Sequence, residues 1–212
     1  TVLERYYFPF LEAFPTMSDL ASASLDDVLK KWEGLGYYTR ARNLHKAAQL
    51  CSGILPKTAQ ELLLLPGIGR STAHAIACFA YGEQVPILDA NVKRILHRFY
   101  AIQERTETLL WDAAYRLFDS KNSYAYNQVM MDLGSSICTQ RNPLCEVCPL
   151  LKECMGKDAP HNFPKAIAKK QKPINKKIII IHERNKKIAL YQRTTKFLHQ
   201  LWGFEEVDTL NH

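Results

Sequence analysis

The length, composition and charge of the chain exclude several protein classes. The 212 residues are 47% hydrophobic and 23% charged, which is typical of a folded globular protein. No apolar run approaches the roughly 20 residues that cross a bilayer, and the first residues lack a signal-peptide pattern, so we expect a cytoplasmic protein. The net charge of +7 arises in residues 157–196, whereas residues 1–156 are balanced, so charge gives only weak support for nucleic-acid binding by the N-terminal part.

Residues 1–156 are predicted to be helical. Ser24, with Asp27 three residues later, is a capping signal in front of LDDVLKKW, and Gly34 follows as a stop. Cys51 and Cys78 fall at apolar helical spacing and are interpreted as core residues. Further helices are predicted over TRARNLHKAAQL, KTAQELLLL, RSTAHAIACFAY, ETLLWDAAYRLF and AYNQVMMDLGSSI.

The composition changes after residue 156. Residues 157–175 are rich in Lys, Pro and Ala without periodicity, which indicates a basic linker. Residues 176–193 are predicted to form two short strands with a polar turn at Glu183–Lys186. A lone hairpin is marginally stable, so residues 176–212 are expected to be the truncated start of a second domain. The chain also begins within a predicted helix and without Met, which indicates a fragment.

Two glycines separate the predicted helices of residues 57–81. Gly67 and Gly69 in LPGIGR permit a tight turn, and the helix that follows offers free N–H groups and the positive end of its dipole. Such a hairpin can hold a DNA phosphate without reading its sequence. The alternative interpretation is an ordinary glycine-containing turn.

Asp89 lies between an apolar strand-like run and an amphipathic helix in VPILDANVKRIL. Aspartate is a preferred N-cap because its carboxylate accepts a hydrogen bond from a free amide of the first turn. Those amides and the helix dipole also favour the ionised carboxylate. Capping and a catalytic role are therefore compatible, and both remain open from this segment alone.

Four cysteines lie within 17 residues, with the spacing C-x6-C-x2-C-x5-C over 138–154. Disulfides are not expected without secretion signals. Structural zinc usually takes two C-x2-C pairs, and only one is present here. A compact run of four thiolates suits a [4Fe–4S] cluster better, and zinc is the alternative. The predicted ligands are Cys138, Cys145, Cys148 and Cys154.

Together these motifs resemble the iron–sulfur helix–hairpin–helix DNA glycosylases related to endonuclease III, and within them the MutY-type adenine DNA glycosylases. The similarity covers nearly all of residues 1–156, and LWGF at 201–204 is similar to the start of the family's MutT-like domain. The resemblance implies a mainly α fold with a glycosylase core and an iron–sulfur loop, then a linker and the start of a small α+β domain. The segments that carry it are GLGYYTRARNLHKAA, LPGIGRSTA, PILDANVKRIL, YNQVMMDLG and the cysteine motif.

The resemblance implies a reaction. The family flips adenine mispaired with 8-oxoguanine or guanine out of duplex DNA and hydrolyses its N-glycosidic bond. Asp89 matches the carboxylate that stabilises the oxocarbenium-like sugar. Asn91 matches a residue beside it, although a solvated helix position is the alternative. Ser71 stands where bifunctional relatives carry a Schiff-base lysine, which implies base removal without efficient β-elimination; its alternative is an ordinary polar residue of the first turn.

The resemblance also assigns DNA contacts. It implies a monomeric, nucleoid-associated bacterial protein with no membrane partner. Tyr37 matches a wedge that enters the duplex near 8-oxoguanine, and Gln128 matches a position facing the adenine pocket. Phosphate binding is implied for Gly67, Gly69 and Arg70, and Arg141 in the cysteine loop is a further candidate. The cluster is then expected to shape a basic loop and not to act as an oxidant.

One departure affects the expected activity. The family's general-acid glutamate falls just upstream of Thr1, and neither Glu4 nor Glu12 matches it. Two alternatives therefore stay open besides an adenine glycosylase. The first is an endonuclease III-like glycosylase and lyase acting on oxidised pyrimidines, and the second is a non-catalytic iron–sulfur module that binds DNA.

Overall fold

The computed structural model describes residues 3–165, 176–195 and 198–207. The chain divides into two compact units, Thr1–Ile167 and Ala168–His212. Within the described ranges, no helix has the length and apolar character that a bilayer crossing requires.

The first unit is helical, as predicted. A π-helical turn at Leu3–Tyr7 leads into the first helix, and single 3-10 turns occupy Ser120–Asn122, Cys145–Val147 and Pro160–Asn162. The α-helices are α1 (Phe8–Ala13), α2 (Met17–Ser22), α3 (Leu25–Lys31), α4 (Tyr38–Leu50), α5 (Ala59–Leu62), α6 (Arg70–Tyr81), α7 (Ala90–Phe99), α8 (Glu107–Leu117) and α9 (Ser123–Ser136).

Side-chain caps set several helix starts. Ser24 accepts a hydrogen bond from the Asp27 amide at the start of α3, which confirms the predicted signal. Thr58 and Glu61 form a reciprocal capping box at α5. That helix ends well before the predicted KTAQELLLL segment does, because Pro66 disfavours helical backbone in the residue that precedes it.

The core of the unit surrounds α7. Val92, Ile95 and Leu96 are almost fully buried and pack against residues of α8 and α9. Burial of each such aliphatic side chain contributes roughly 1.5–3 kcal/mol. Because α7 begins directly after Asp89, this packing fixes the position of that residue within the unit.

Small side chains form a second cluster where α5 meets α6. Ala59, Leu62, Ala73 and Ala77 are buried there. Alanine lets the two helix backbones approach closely, so the hairpin between them is held at both ends. The helix–hairpin–helix over residues 57–81 therefore has its own small core.

The predicted linker begins too early in the chain. Residues 157–165, which it includes, belong to the first unit. The Pro160 carbonyl accepts a hydrogen bond from the Arg98 guanidinium, and the Lys165 carbonyl accepts one from Arg105. Composition alone could not reveal these contacts, because they use backbone carbonyls. The remainder of the predicted linker, residues 166–175, lies outside the described residues.

The described residues of the second unit form six short strands in three antiparallel pairs. A hairpin forms at the predicted turn, but it is shorter than predicted: Glu183 and Arg184, two of the predicted turn residues, are in a strand that pairs with Lys187–Ile188. The isoleucine strand β1 pairs instead with β6, in the register Ile178 to Val207. The strands are β1 (Ile178–Ile180), β2 (Glu183–Arg184), β3 (Lys187–Ile188), β4 (Tyr191–Gln192), β5 (Trp202–Gly203) and β6 (Glu205–Val207).

Candidate active site

Asp89 is the N-cap of α7. Its Oδ1 accepts a hydrogen bond from the Val92 amide at 2.7 Å, and its own carbonyl accepts one from the Lys93 amide. The side chain is only partly buried. Among the described residues no hydrogen-bond donor is assigned to Oδ2. One carboxylate oxygen is therefore fixed by the helix, and the other can face a positive charge that develops beside it.

Asn91, two residues after Asp89, belongs to a polar network. Its Oδ1 accepts a hydrogen bond at 2.9 Å from Arg94, which also donates to the carbonyls of Gly134 and Cys138. Burial lowers the pKa of Arg94, and the nearby Cys138 and Asp89 oppose that shift. The start of α7 is thus connected through one guanidinium to the end of α9 and to the first cysteine.

A close approach of two helices brings Asn91 to this network. A Cβ at Gly134 would lie 2.5 Å from the Cβ of Asn91 and 3.2 Å from its Cα. Only glycine therefore lets α9 pass α7 at this point. No sequence pattern indicates this role, since a glycine near a helix end usually predicts the end of the helix.

Two buried polar side chains hold the segment before Asp89. No sequence motif predicted a role for either of them. Asn127 of α9 accepts from the Ile87 amide at 2.8 Å and donates to the Val85 carbonyl at 2.9 Å. His74 of α6 contacts the Pro86 carbonyl through Nδ1 at 2.7 Å. Each is a single polar residue on an otherwise apolar helix face, a pattern that carries no specific signal.

The pKa of His74 yields a pH prediction. Burial lowers this pKa, the hydrogen bond to Pro86 and the charge of Glu83 oppose the shift, and Arg70 reinforces it. The unfolded chain thus binds the proton more readily than the folded one, so stability is lost as pH falls below the ordinary histidine value of about 6.5. We expect the melting temperature to fall less between pH 7.5 and 5.5 in His74→Asn than in wild type. Parallel curves would contradict this assignment.

The hairpin glycines differ in their surroundings. Gly67 has φ +80°, and a Cβ there would lie 2.7 Å from the Asn43 side chain. Gly69 is the N-cap of α6, has extended backbone, and a Cβ there would meet no atom within 4 Å. Gly67 is therefore required by the turn itself, whereas Gly69 leaves open space in front of the helix, where a ligand could approach.

A matched pair of substitutions tests this difference. We expect Gly67→Ala to destabilise the protein by about 1–3 kcal/mol, because alanine resists positive φ and displaces Asn43. Gly69→Ser should leave stability unchanged, because serine is a preferred N-cap and has room. Chemical denaturation of both variants provides the comparison. Equal losses in the two would show that the hairpin tolerates no side chain at either position.

A groove runs between the start of α6 and α8. The Arg70 guanidinium lies 4.0 Å from the centre of the Trp111 ring, and Ser71 lines the same groove. At its edge Lys93 of α7 donates to Glu107 of α8 at 2.6 Å, which lowers the pKa of that carboxylate. The groove is lined by Gly69, Arg70, Ser71, Thr72, Glu107, Thr108, Trp111, Asp112 and Tyr115.

The four motif cysteines line one cavity. They are free thiols, as are Cys51 and Cys78. Among the described residues no three His, Cys, Asp or Glu side chains are close enough together to hold a single metal ion. Four thiols around a shared cavity are nevertheless a donor set that fits an iron–sulfur cluster. The cysteines are Cys138, Cys145, Cys148 and Cys154.

Arg98 shapes this loop from within. It is 5% exposed, and its guanidinium donates to the carbonyls of Thr139 at 2.7 Å and Pro160 at 3.0 Å. Its Nη1 also lies 3.3 Å from the Cys138 sulfur. The backbone closes the loop from the other side, since the Gly156 amide donates to the Arg98 carbonyl. A buried cation thus organises both ends of the cysteine segment.

The remaining predicted DNA contacts lie on the surface. Tyr37 is 77% exposed and has φ +50° in front of α4, a backbone conformation rare for non-glycine residues. The Arg40 guanidinium lies 4.9 Å from the centre of its ring. Gln128 is exposed on α9 and donates to Asp132, and Arg141 is exposed in the cysteine loop. No contact joins Gln128 to Asp89 among the described residues.

Comparison with known proteins agrees with this geometry. Residues 1–115 match the HhH-GPD superfamily base excision DNA repair proteins. An adenine DNA glycosylase of Buchnera aphidicola from Acyrthosiphon pisum is 42% identical over 193 residues, covering 85% of the chain and 55% of that protein. The human adenine DNA glycosylase is 42% identical, covering 72% of the chain and 30% of that protein. The chain thus spans about half the length of the first of these relatives.

Solved structures support the same fold. A thermostable thymine-DNA glycosylase superposes with a TM-score of 0.67 at 26% identity, covering 74% of this chain and 76% of that one. A non-covalent endonuclease III–DNA complex has the same TM-score at 23% identity, with 76% and 78% covered. Its similarity concerns the fold alone. With the hairpin, the capped Asp89 and the cysteine cavity in place, the chain belongs to the HhH-GPD superfamily of base excision DNA repair proteins.

Proposed function

We propose that the protein excises adenine mispaired with 8-oxoguanine or guanine from duplex DNA, by hydrolysis of the N-glycosidic bond. The observation that carries this proposal is Asp89, a partly buried carboxylate fixed by the Val92 amide at the start of the most buried helix. The relatives at 42% identity are adenine DNA glycosylases, and they indicate that adenine is the base that the reaction removes.

The chemistry assigns a role to Asp89. As the adenine leaves, positive charge develops on the sugar, and a carboxylate held in place stabilises that charge without reorganisation. Oδ2 is the oxygen that faces the sugar, since Oδ1 is used by the helix cap. Asn91, held by Arg94, keeps the first turn of α7 ordered beside the reacting atoms.

Ser71 makes the protein a glycosidase without lyase activity. A lysine at this place in the groove could attack the sugar and form an imine, and a hydroxyl group cannot. The position of Ser71 in the groove beside Arg70 supports this assignment. The product is then an abasic site in an unbroken strand.

Four surface features of the protein contact the DNA. The hairpin turn at Gly67, with open space at Gly69 and Arg70 directly after it, holds phosphate at the start of α6. Tyr37 is an exposed aromatic ring on strained backbone, a suitable wedge for kinking a duplex. Gln128 reads the extruded base, and Arg141 adds a phosphate contact from the cysteine loop.

A [4Fe–4S] cluster held by the four cysteines completes the DNA surface. It ties the loop around Arg141 to the rest of the unit and has no part in the bond cleavage. Burial raises the pKa of Cys145 and of Cys154, so metal binding must displace their protons. Arg98 already places the first cysteine and the backbone around it.

The test uses the protein as its gene encodes it and a panel of labelled duplexes containing A·8-oxoguanine, A·G, A·T or thymine glycol. We expect strand breaks in the first two duplexes, and only after alkali. Breaks without alkali, together with a borohydride-trapped covalent complex on thymine glycol, would show an endonuclease III-like lyase. Binding to the mispairs with no alkali-labile sites in any duplex would show a non-catalytic module.

A further inference from the structure

The five residues Val85–Asp89 lead into α7, and among the described residues no strand is hydrogen-bonded to them as in a sheet. Val85 and Ile87 each direct a polar backbone group toward α9, and Pro86 directs its carbonyl toward α6. Pro86, Ile87 and Leu88 are buried. Buried backbone groups without partners cost about 1–3 kcal/mol each, so their partners fix this segment strongly.

The Asn127 side chain forms hydrogen bonds that a neighbouring strand would otherwise form with this segment. Its amide both accepts from the Ile87 N–H and donates to the Val85 carbonyl, the pattern by which one strand pairs with the next. Its second N–H lies 3.2 Å from the Cys78 sulfur, and the residue is 1% exposed. Three of the four hydrogen-bonding positions of the side chain are therefore used, both donors among them, which fixes the orientation of the amide.

His74 holds the other edge of the segment. The Pro86 carbonyl can only accept, so Nδ1 of His74 carries the proton of their 2.7 Å hydrogen bond. The imidazole ring packs on Trp111 with their centres 4.8 Å apart, which restricts its rotation. His74 lies one helical turn after Arg70, so it connects the helix that follows the hairpin to the residues before Asp89.

We propose that Asn127 and His74 are positioning residues that hold residues 85–88 from two sides and thereby orient the Asp89 carboxylate. This inference rests on the proposed role of Asp89 in excision. Both side chains are almost fully buried, so we assign neither of them a contact with DNA or with the reacting atoms. Their removal lowers the rate of base release, because displacement of a catalytic group by about 1 Å can cost about 100-fold. It leaves DNA affinity unchanged.

Asn127→Leu tests the α9 side, because leucine has nearly the same volume and no amide. Asn122→Leu is the control, since the Asn122 side chain is exposed and, in the described part of the chain, donates to Asp119 on the surface, far from Ile87 in sequence. We expect Asn127→Leu to reduce the single-turnover rate about 10–100-fold, with the dissociation constant for DNA within about 3-fold of wild type. Exchange of the Ile87 amide hydrogen should accelerate at least about 10-fold, and the control should change neither quantity.

His74→Leu and His74→Asn test the α6 side, and they carry the test if Asn127→Leu does not fold. The asparagine amide can replace Nδ1–H as donor to Pro86, so His74→Asn should regain most of the rate that His74→Leu loses. A purely structural role would lower the melting temperature of both variants with an unchanged rate per folded molecule, and this result would overturn the proposal.

The exchange measurement separates the two proposals. If the wild-type protein releases no adenine, the proposed function fails, and the Ile87 amide still decides whether Asn127 holds the segment. Faster exchange of the Ile87 amide in Asn127→Leu then supports the role of Asn127 in holding residues 85–88. Unchanged exchange overturns it whatever the enzymatic activity.

Discussion

Asp89→Asn is expected to reduce adenine release at least about 100-fold at single turnover without changing the affinity for mispaired duplex DNA. Asparagine is as good an N-cap as aspartate, so its side-chain oxygen still accepts from the Val92 amide and α7 keeps its start. What disappears is the negative charge beside the sugar, and removal of one such electrostatic stabiliser typically costs about 100- to 1,000-fold.

Asp119→Asn is the matched control for that substitution. Asp119 also caps a helical turn, accepting from the Lys121 amide at 3.0 Å, but it is exposed and precedes α9. We expect its variant to retain wild-type excision. An Asp89→Asn protein that cleaves as fast as Asp119→Asn would show that Asp89 is only a cap.

Cys148→Ala is expected to abolish stoichiometric iron, together with the brown colour of anaerobically purified protein, and to weaken DNA binding at least about 10-fold. A cluster with four thiolate ligands loses one of them, and cluster binding is coupled to the folding of its loop. The loop that carries Arg141 would then no longer be held at Cys148, so the phosphate contact proposed for Arg141 should be lost.

Cys51→Ala separates loss of the cluster from loss of a thiol in general. Cys51 is the C-cap of α4 and is absent from the cysteine cavity, so its variant should keep its iron and its DNA affinity. Iron analysis, visible absorption and a binding titration give the comparison. Stoichiometric zinc in fresh wild-type protein, or full iron in Cys148→Ala, would contradict the cluster assignment.

Local patterns were sufficient where local chemistry determines the structure. The predicted segment RSTAHAIACFAY coincides with α6, because Gly69 precedes it and Gly82 ends it with left-handed backbone. Asp89 was predicted as an N-cap from its place between an apolar run and an amphipathic helix, and it forms that bond. The cysteine spacing predicted one shared site, and the four thiols line one cavity.

The same sequence patterns did not predict the tertiary contacts. The pairing of β1 with β6 joins the first strand of the predicted hairpin to residues beyond that hairpin, and no periodicity within either strand encodes it. Asn127 and His74 were missed because their importance comes from the backbone they meet, and that backbone belongs to another element. The residues after 156 were assigned to a linker because their contacts with Arg98 and Arg105 use main-chain carbonyls.

The most direct test of the central claim measures the base itself. The protein as its gene encodes it, in excess over a duplex containing A·8-oxoguanine, should release free adenine, detected by chromatography, in one equivalent per duplex. The A·T duplex of the same sequence should release far less in the same time. No adenine above the protein-free control, or release of an oxidised pyrimidine in its place, would contradict the assignment of adenine excision to this protein.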